Sequence, residues 1–262
     1  MSDKNYALIT GASGGIGYEF AKHAAADQYN LILVARSEDK LLELKKMLEE
    51  KYKVDVKIIV KDLSLINSAA EVFEQTEKEN LRIELLFNNA GYGDYGPFTE
   101  TKWKKESDMI LLNIYTLTHL TKLYAKKMIS QGSGKILNVA SIGGFLAGPL
   151  MAVYYSSKNY VLSFSLAIYK ELKGTGVSLT VLCPGPTKTN FEKVADLESS
   201  KLFKNFKIDS AEFVARKGYK AMLKGKMMII PGWMNKVMIG AVRFTPRKLL
   251  LSVIQGMQKK VQ

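Results

Sequence analysis

The chain has 262 residues, of which 47% are hydrophobic, and it contains one cysteine and two histidines. This apolar content is enough for a full core, and α/β folds of this length commonly form one domain. One cysteine cannot build a disulfide framework, and no cysteine or histidine cluster has the spacing of a metal site, so we expect no bound metal.

The formal net charge of +13 would attract phosphorylated cofactors, acidic lipids and nucleic acid alike. The lysines are spread along the chain and match no nucleic-acid-binding motif, so we expect a solvated basic surface and no specific nucleic acid binding. The first ten residues, MSDKNYALIT, lack the basic region and long apolar run of a secretory signal. We therefore expect a cytoplasmic protein.

The first functional signal is a glycine-rich turn between a strand and a helix. An apolar run at 6–10 leads into TGASGGIG at 10–17 and then into the helical sequence YEFAKHAAADQ. In this context a pyrophosphate binds at the helix N-terminus, where Gly11 permits the tight turn and Gly17 lets the helix pack closely on the strand. The other candidates for cofactor contact are Ser13, Gly14, Gly15 and Ile16. A tight turn without a ligand is the alternative.

The second apolar run, LILVAR at 31–36, ends where a dinucleotide fold holds the adenosine ribose. It carries no acid there, and the Arg36 guanidinium is available to pair with a 2′-phosphate. NADP(H) is therefore the preferred cofactor, with NAD(H) as the other possibility. The alternative for Arg36 is an exposed arginine at the start of the next helix.

Two further strands end in polar or small residues. The run VDVKIIVKDLS ends at Asp62, whose carboxylate could accept a bond from an adenine amino group or could cap the following helix. The run IELLFNNAGYG ends at Asn88, and its next residues suit packing against the cofactor riboses. Those residues are Asn89, Ala90 and Gly91.

A long helical region is predicted at about 103–130, with Asn113 inside the apolar sequence MILLNIYTLTHL. Asparagine is a poor interior helix residue and is costly to bury without partners. Asn113 therefore has either a functional role or neighbouring backbone groups to satisfy.

The chemistry is predicted in the stretch 141–158, SIGGFLAGPLMAVYYSSK. Tyr154 and Lys158 are four residues apart and would share one face of a helix at about 152–172. A free tyrosine has a pKa of about 10, and a nearby ammonium could lower it by about 1 to 3 units. Ser141 follows the strand KILNVAS and could reach a carbonyl oxygen. A chance pair on an exposed helix is the alternative.

Strands alternating with helices, several of them nearly continuous apolar runs, predict a doubly wound, mostly seven-stranded parallel sheet. The sixth strand, VSLTVLCPG, holds Cys183 as a buried core residue, and MMII at 227–230 is the seventh. Between them, 192–209 is expected to be an irregular lid, and Asp209 with Glu212 has the spacing of a helix-capping pair. The expected fold is a single-domain Rossmann fold.

The domain is expected at 1–232, with 233–262 as its basic, amphipathic C-terminal extension. The two apolar pieces of this tail, separated at Pro246, are shorter than the ~20 residues that span a bilayer. We expect the tail to cover the substrate side and to help bind an apolar substrate or a membrane surface. Packing on its own domain or on a second subunit is the alternative.

Taken in order, these motifs resemble the short-chain dehydrogenase/reductase family over about 6–228. The resemblance is carried by TGASGGIG at 10–17, NNAG at 88–91, PGPTKT at 184–189 and four single residues, Asn113, Ser141, Tyr154 and Lys158. The tail is similar to the branch that includes reductases of long-chain ketones, ketoacyl groups and steroids.

The resemblance implies a catalytic tetrad on these four single residues. Tyr154 would be the general acid/base, Ser141 would hydrogen-bond the carbonyl oxygen, and Asn113 would hold a water in a proton relay. Lys158 would bind the nicotinamide ribose and depress the pKa of the tyrosine, and Tyr154 would also contact the cofactor. Further contacts to the nicotinamide would come from Pro184, Gly185, Thr187 and Thr189.

The expected function is an NADP(H)-dependent oxidoreductase acting on a carbonyl or secondary alcohol, with an apolar small molecule as the substrate. The family is commonly oligomeric, so a homodimer or homotetramer is expected, although the tail could cover the usual interface. Two alternatives stay open: a non-catalytic NADP(H)-binding regulator and an adaptor that uses the basic tail at a membrane.

Overall fold

The computed structural model describes residues 5–195 and 208–258. Nine strands are found in these ranges: β1 Asn5–Thr10, β2 Asn30–Ala35, β3 Val56–Val60, β4 Arg82–Asn88, β5 Gly134–Val139, β6 Val177–Leu182, β7 Thr187–Lys188, β8 Asp209–Ser210 and β9 Met228–Ile229. The α-helices are α1 Gly15–Ala26, α2 Glu38–Tyr52, α3 Ser68–Lys78, α4 Trp103–Ile110, α5 Leu117–Gln131, α6 Ala152–Glu171, α7 Phe191–Val194, α8 Ala211–Leu223, α9 Trp233–Val242 and α10 Arg247–Gln258. A 3₁₀ turn spans Ile142–Phe145.

The main sheet has seven strands in the order β3-β2-β1-β4-β5-β6-β9, and every neighbouring pair is parallel. The predicted seven-stranded parallel sheet is confirmed. The apolar runs account for it, because β1 and β2 are buried at five of their six residues, as a sheet covered on both faces requires. The strand order reverses between β1 and β4, which opens a crevice at their carboxyl ends.

Helices cover both faces of this sheet. On one face α1, α2 and α8 bury Phe20, Leu41 and Val214 against the strands. On the other face α3 and α5 bury Val72 and Tyr124. Between these two layers, the carboxyl edge of the sheet carries the polar strand ends noted in the sequence.

The helical region predicted at about 103–130 is interrupted. Between α4 and α5 the chain forms a π-helical turn, Leu111–Thr116, with Asn113 fully buried inside it. Such turns insert a residue into an α-helix and often occur at functional sites. The turn directs the Asn113 side chain toward the carboxyl end of β4.

Two predictions of helix capping are wrong. Ser210, rather than the pair Asp209 and Glu212, caps α8, because its Oγ accepts a hydrogen bond from Phe213 N at 3.1 Å. Asp62 does not cap α3, which begins six residues later at Ser68. In both cases the local spacing fitted a cap, but the chain enters the helix at a different residue.

The predicted lid at 192–209 falls largely on residues 196–207, which lie outside the described parts of the chain. On its two sides the short helix α7 follows β7, and β8 pairs in parallel with β7. Among the helices that the structure describes, none combines the length and apolar character needed to cross a bilayer.

Candidate active site

The glycine turn connects β1 to α1 in a conformation that depends on glycine. Gly11 and Gly15 have φ values of +67° and +55°, in the left-handed region that disfavours side chains. A Cβ on Gly17 would lie 2.3 Å from the carbonyl oxygen of Gly11. By contrast, Gly14 is extended, and a Cβ added to it would have no atom within 4 Å. The turn is therefore closely packed on the side of Gly17 and open on the side of Gly14.

Thr10 holds the glycine turn to the end of β4. Its Oγ1 donates to Phe87 O at 3.1 Å and accepts from the backbone N–H groups of Asn89 and Ala90 at 2.9 and 3.0 Å. The Asn89 amide donates in return to Thr10 O at 3.0 Å and to Gly11 O at 3.3 Å. Asn89 thus braces the turn with the amide that the sequence suggested for ribose contact. Thr10 was missed, although its position at a strand end next to the glycines was a usable signal.

Arg36 and Asp62 lie together at the far end of the cleft, where β2 and β3 end. The Asp62 carboxylate accepts two bonds from Ser64, from the backbone at 2.9 Å and from the hydroxyl at 2.6 Å. Burial alone would raise the pKa of Asp62, but these bonds and the charges of Arg36 and Lys104 bring it below its ordinary value. Arg36 Nη1 is 4.0 Å from Asp62 Oδ2, and 71% of the arginine side chain is exposed. Its guanidinium is accordingly free to meet a ligand.

Asn113 lies behind the cleft. Its Nδ2 donates to Tyr92 O and to Ser157 Oγ, both at 3.0 Å, and its Oδ1 accepts from Tyr92 N at 3.3 Å. The amide therefore satisfies the backbone of Tyr92, which is the alternative explanation of its burial. Asn113 and Gly17 are the two predicted site residues that do not line the cleft.

Ser141 and Tyr154 meet where β5 ends and α6 begins. Ser141 Oγ accepts from Gly143 N at 3.0 Å and donates to Pro184 O over the longer distance of 3.4 Å. Burial raises the pKa of Tyr154 above its ordinary value, while hydrogen bonding to Ser141 lowers it. The Tyr154 ring packs against Phe191 with centroids 5.2 Å apart.

Lys158 is buried one helical turn further along α6. Its Nζ donates to Val139 O at 3.0 Å and lies 5.9 Å from the centroid of the Tyr154 ring. Burial lowers the pKa of Lys158 to about 8. The expected depression of the Tyr154 pKa is wrong as a net result in this structure, where burial of the phenol raises that pKa.

The chain segment that follows β6 also borders the site. Ile142 N donates to Pro184 O at 2.9 Å, which ties this segment to the 3₁₀ turn after Ser141. Thr187 Oγ1 donates to Gly185 O at 2.8 Å, and Thr189 Oγ1 accepts from Phe191 N at 3.1 Å. Both threonine hydroxyls are engaged with backbone while their segment borders the cleft.

These groups surround one continuous cleft of about 800 Å³. It contains the glycine turn, the strand ends with Arg36 and Asp62, and the group of Ser141, Tyr154 and Lys158. It also contains Lys40 on α2, which the sequence analysis missed because helical spacing made it look like a surface lysine.

Next to Tyr154 the cleft includes an apolar chamber whose lining involves the tail. The tail residues that line it have helical spacing: Met238, Val242, Leu250, Val253, Ile254, Met257 and Gln258. Residues from the body of the domain complete it: Leu146, Met151, Tyr155 and Phe191. The tail lies over this end of the cleft, as its amphipathic pattern led us to expect.

Gln258 is the polar exception in this chamber. It is only 1% exposed, and among the described residues neither its Nε2 nor its Oε1 has a hydrogen bond of good geometry. Its amide is close enough to Tyr155 to lower the pKa of that phenol, although burial raises it more. Apart from this contact with Tyr155, the buried amide keeps unused hydrogen-bonding capacity beside the chamber.

A parallel sheet that reverses its strand order at a glycine turn defines a dinucleotide-binding α/β protein. The model of the short chain dehydrogenase family matches residues 5–199. The chain belongs to this family, and the resemblance carried by its motifs is confirmed.

A very-long-chain 3-oxoacyl-CoA reductase of Pyrenophora tritici-repentis is 40% identical over 176 residues, which are 66% of this chain and 52% of that protein. The chain spans about half the length of the first curated relatives that it matches. Among solved structures, one described for 7beta-hydroxysteroid dehydrogenase stereoselectivity has a TM-score of 0.85 at 26% identity, covering 95% of this chain and 96% of its own. The expected branch of ketoacyl and steroid reductases is confirmed by these names.

A short-chain dehydrogenase from Sphingobium yanoikuyae, solved in complex with NADPH, has a TM-score of 0.81 and 27% identity, covering 97% of this chain and 98% of that chain. The structure of this relative supports a nicotinamide cofactor in the family fold.

Proposed function

We propose that the protein is an NADP(H)-dependent reductase of an apolar carbonyl compound, with Tyr154 as the proton donor. The observation that carries this proposal is the group of Ser141, Tyr154 and Lys158 on the wall of a cleft that runs on to the glycine turn. One end of the cleft is open for phosphate and the other is apolar, which matches a dinucleotide and a hydrophobic substrate held end to end.

The cleft fits a dinucleotide on its own geometry. Gly11 and Gly15 are in backbone conformations that a side chain would strain, and the open surface at Gly14 leaves room for a phosphate close to the start of α1. Bound there, a nicotinamide cofactor supplies the hydride. Lys158 would donate to the ribose hydroxyls, since among the described residues this buried cation donates one hydrogen bond, to Val139 O, and an ammonium has three donors.

The protonation states favour reduction near neutral pH. The raised pKa of Tyr154 keeps its phenol protonated, so it can give a proton to the oxygen of a carbonyl as that oxygen gains negative charge. The pKa of Lys158, about 8, leaves the ammonium mostly charged at pH 7. That charge stabilises the phenolate that remains, and Ser141 donates to the same substrate oxygen.

We infer a preference for NADP(H) from Arg36. It is largely exposed, it lies where β2 ends, and Lys40 borders the same part of the cleft. The nearby acid, Asp62, accepts both Ser64 bonds on Oδ1, and its Oδ2 lies 4.0 Å from Arg36 Nη1, so the arginine partly offsets its charge. Two cations beside one partly neutralised acid suit a 2′-phosphate better than two hydroxyls.

The lining of the chamber supports an apolar substrate. Its methionine, leucine, isoleucine and valine side chains suit a long or polycyclic apolar body, because burial of such a surface is favourable at about 25 cal/mol per Å². From the position of Gln258 we infer that the substrate carries a second polar group, placed away from the reacting carbonyl, that exchanges hydrogen bonds with the amide.

A panel of ketones with NADPH and with NADH tests the proposal. We expect turnover of bulky apolar ketones with NADPH, weaker turnover with NADH, and loss of both in Tyr154→Phe. Tight NADPH binding without turnover on any ketone would favour the non-catalytic regulator instead. The homo-oligomer and the cytoplasmic location stay predictions, and sedimentation and cell fractionation would test them.

A further inference from the structure

The positive charge of the protein is concentrated at its C-terminal end. No aspartate or glutamate occurs after Glu212, whereas eleven lysines and arginines follow it, so this segment accounts for +11 of the net charge of +13. The lysines are indeed spread along the chain, but the acids that balance them are not. The last fifty residues therefore form a cationic region on a nearly neutral body.

An apolar row is exposed on α9 and in the turn that follows it. Trp233 and Val237 are four residues apart on one side of the helix, and Phe244 lies in the turn just beyond its last residue, Val242. Their exposed fractions are 73%, 61% and 89%. The opposite side of α9 faces inward, where Ile239 is buried and Met238 lines the chamber.

Four cations border this apolar row: Lys236, Arg243, Arg247 and Lys248. All four are exposed, and none makes an ion pair with any residue in the ranges that the structure describes. We call these four cations together with Trp233, Val237 and Phe244 the tail surface. A large exposed aromatic pair rimmed by unpaired cations marks an interaction site rather than a solvated face.

We propose that the tail surface docks on an anionic lipid bilayer. A bilayer accepts both components at once: tryptophan and phenylalanine enter the interfacial layer while lysine and arginine meet the acidic headgroups. A nucleic acid would match the cations but would leave the apolar row exposed. A second copy of the chain, related by a two-fold axis, would cover the apolar row but bring four cations against the same four cations.

Docking by this surface places the substrate entrance at the membrane. The helices α9 and α10 bear the tail surface on their outer side and line the chamber on their inner side. Val253 both lines the chamber and is 49% exposed. An apolar substrate dissolved in the bilayer would then reach the chamber without crossing water. The docking itself needs neither cofactor nor turnover, so it can be tested independently of the reductase activity.

The primary test is co-sedimentation of the full chain with phosphatidylcholine vesicles, with and without phosphatidylserine. We expect binding only to the phosphatidylserine vesicles, decreasing as sodium chloride is raised, because surface charges are screened by salt. The chain has two tryptophans, and in Trp103→Phe the remaining Trp233 should show a blue-shifted emission on binding. Unchanged emission together with no sedimentation would overturn the proposal.

Matched variants locate the surface. The set Lys236→Gln, Arg243→Gln, Arg247→Gln and Lys248→Gln should weaken vesicle binding on the order of 10²- to 10³-fold, since each cation near an anionic surface is worth about 1 kcal/mol. The control set removes equal charge from exposed sites on α5, α6 and the residues after α6: Lys122→Gln, Lys126→Gln, Lys170→Gln and Lys173→Gln. The control should bind as the parent does. An equal loss in both sets would mean non-specific attraction and would overturn the assignment.

The pair Trp233→Ser and Phe244→Ser tests the apolar row against self-association. We expect loss of vesicle binding with an unchanged sedimentation coefficient in vesicle-free buffer. If this pair instead dissociates an oligomer and leaves vesicle binding as it was, the row is a subunit interface and the lipid proposal fails. Thermal melting of each variant checks that the exposed substitutions leave the fold intact.

Discussion

The ammonium of Lys158 lies 5.9 Å from the centre of the Tyr154 ring and donates its hydrogen bond to Val139 O at 3.0 Å. Both residues are on α6, yet the ammonium points to the end of β5 and into the cleft. Burial then acts in opposite directions on the two groups, raising the pKa of the phenol and lowering that of the ammonium. In the proposed mechanism, Tyr154 gives the proton and Lys158 stabilises the anion that is left.

Replacing Tyr154, the proposed proton donor, should strongly reduce the rate of ketone reduction without disturbing the fold. Tyr154→Phe keeps the ring that packs on Phe191 and removes only the hydroxyl. We expect kcat for ketone reduction to fall by about 10²- to 10⁴-fold, with NADPH affinity nearly unchanged. Steady-state kinetics and a cofactor fluorescence titration measure the two quantities. Retention of most of the activity would remove Tyr154 from the mechanism.

The pH dependence of reduction should follow Lys158. Its pKa of about 8 means that the ammonium is charged below pH 8 and neutral above it, so kcat for reduction should decline as pH rises through about 8. The phenol stays protonated over this range because its pKa is raised. The profile is measured with a ketone and saturating NADPH. A rate that is flat from pH 7 to beyond about 9 would contradict the role of the ammonium.

Lys158→Met should raise the stability of the protein and lower its activity. The folded pKa of Lys158 is below the unfolded value of 10.5, so the unfolded state binds more protons and the buried charge destabilises the native state at neutral pH. Methionine removes that cost, and the free energy of unfolding should rise by about 1 to 3 kcal/mol. Turnover and NADPH affinity should both fall. The parent should regain the difference in stability as pH rises from about 8 toward about 10.5, and urea unfolding at several pH values measures it.

Arg36→Ala tests the cofactor preference. Loss of a charge-assisted bond to a 2′-phosphate should weaken NADPH roughly tenfold or more and leave NADH nearly unaffected. Arg216→Ala, an exposed arginine on α8, is the control for charge alone. Titration of each variant with NADPH and with NADH measures the two affinities. An equal loss for the two cofactors would make Arg36 structural.

Two glycines of the same turn should behave differently. Gly17→Ala places a methyl group 2.3 Å from Gly11 O and 2.6 Å from Asn89 Nδ2, so it should destabilise the protein by about 1 to 3 kcal/mol or more. Gly14→Ala meets no atom within 4 Å and should leave stability nearly unchanged while reducing cofactor affinity. Thermal melts with and without NADPH separate the two effects. A Gly14→Ala variant that binds NADPH as tightly as the parent would contradict a phosphate position in front of it.

Gln258→Leu tests the second polar group of the substrate. Leucine replaces a buried amide without good hydrogen bonds, so the unliganded protein should be more stable by about 1 kcal/mol. KM should rise for ketones with a distal hydroxyl or carbonyl group and stay the same for plain hydrocarbon ketones. Kinetics on matched pairs of ketones measure this split. An equal change in KM for both kinds would show that Gln258 only packs.

Local sequence predicted the parts of the site that depend on backbone geometry and chain order. TGASGGIG between an apolar strand and a helix indicates a turn of the kind seen at Gly11 and Gly15, because only glycine adopts those φ values without strain. The uninterrupted apolar strands likewise predict a parallel sheet buried on both faces. These inferences need only neighbours along the chain, and the sheet order and the family match agree with them.

Only the tertiary structure decided which groups each buried side chain meets. Asn113 bonds to the backbone of Tyr92 from a π-helical turn, and Thr10 binds the end of β4. Gln258 lines a chamber whose other wall includes Leu146 and Met151, more than a hundred residues earlier in the chain. Burial also reversed the expected pKa shift of Tyr154, since the desolvation of a group depends on every element packed around it. The sequence by itself determined the turns, the strands and the candidate catalytic side chains, whereas contacts between distant segments determined their partners and their charge.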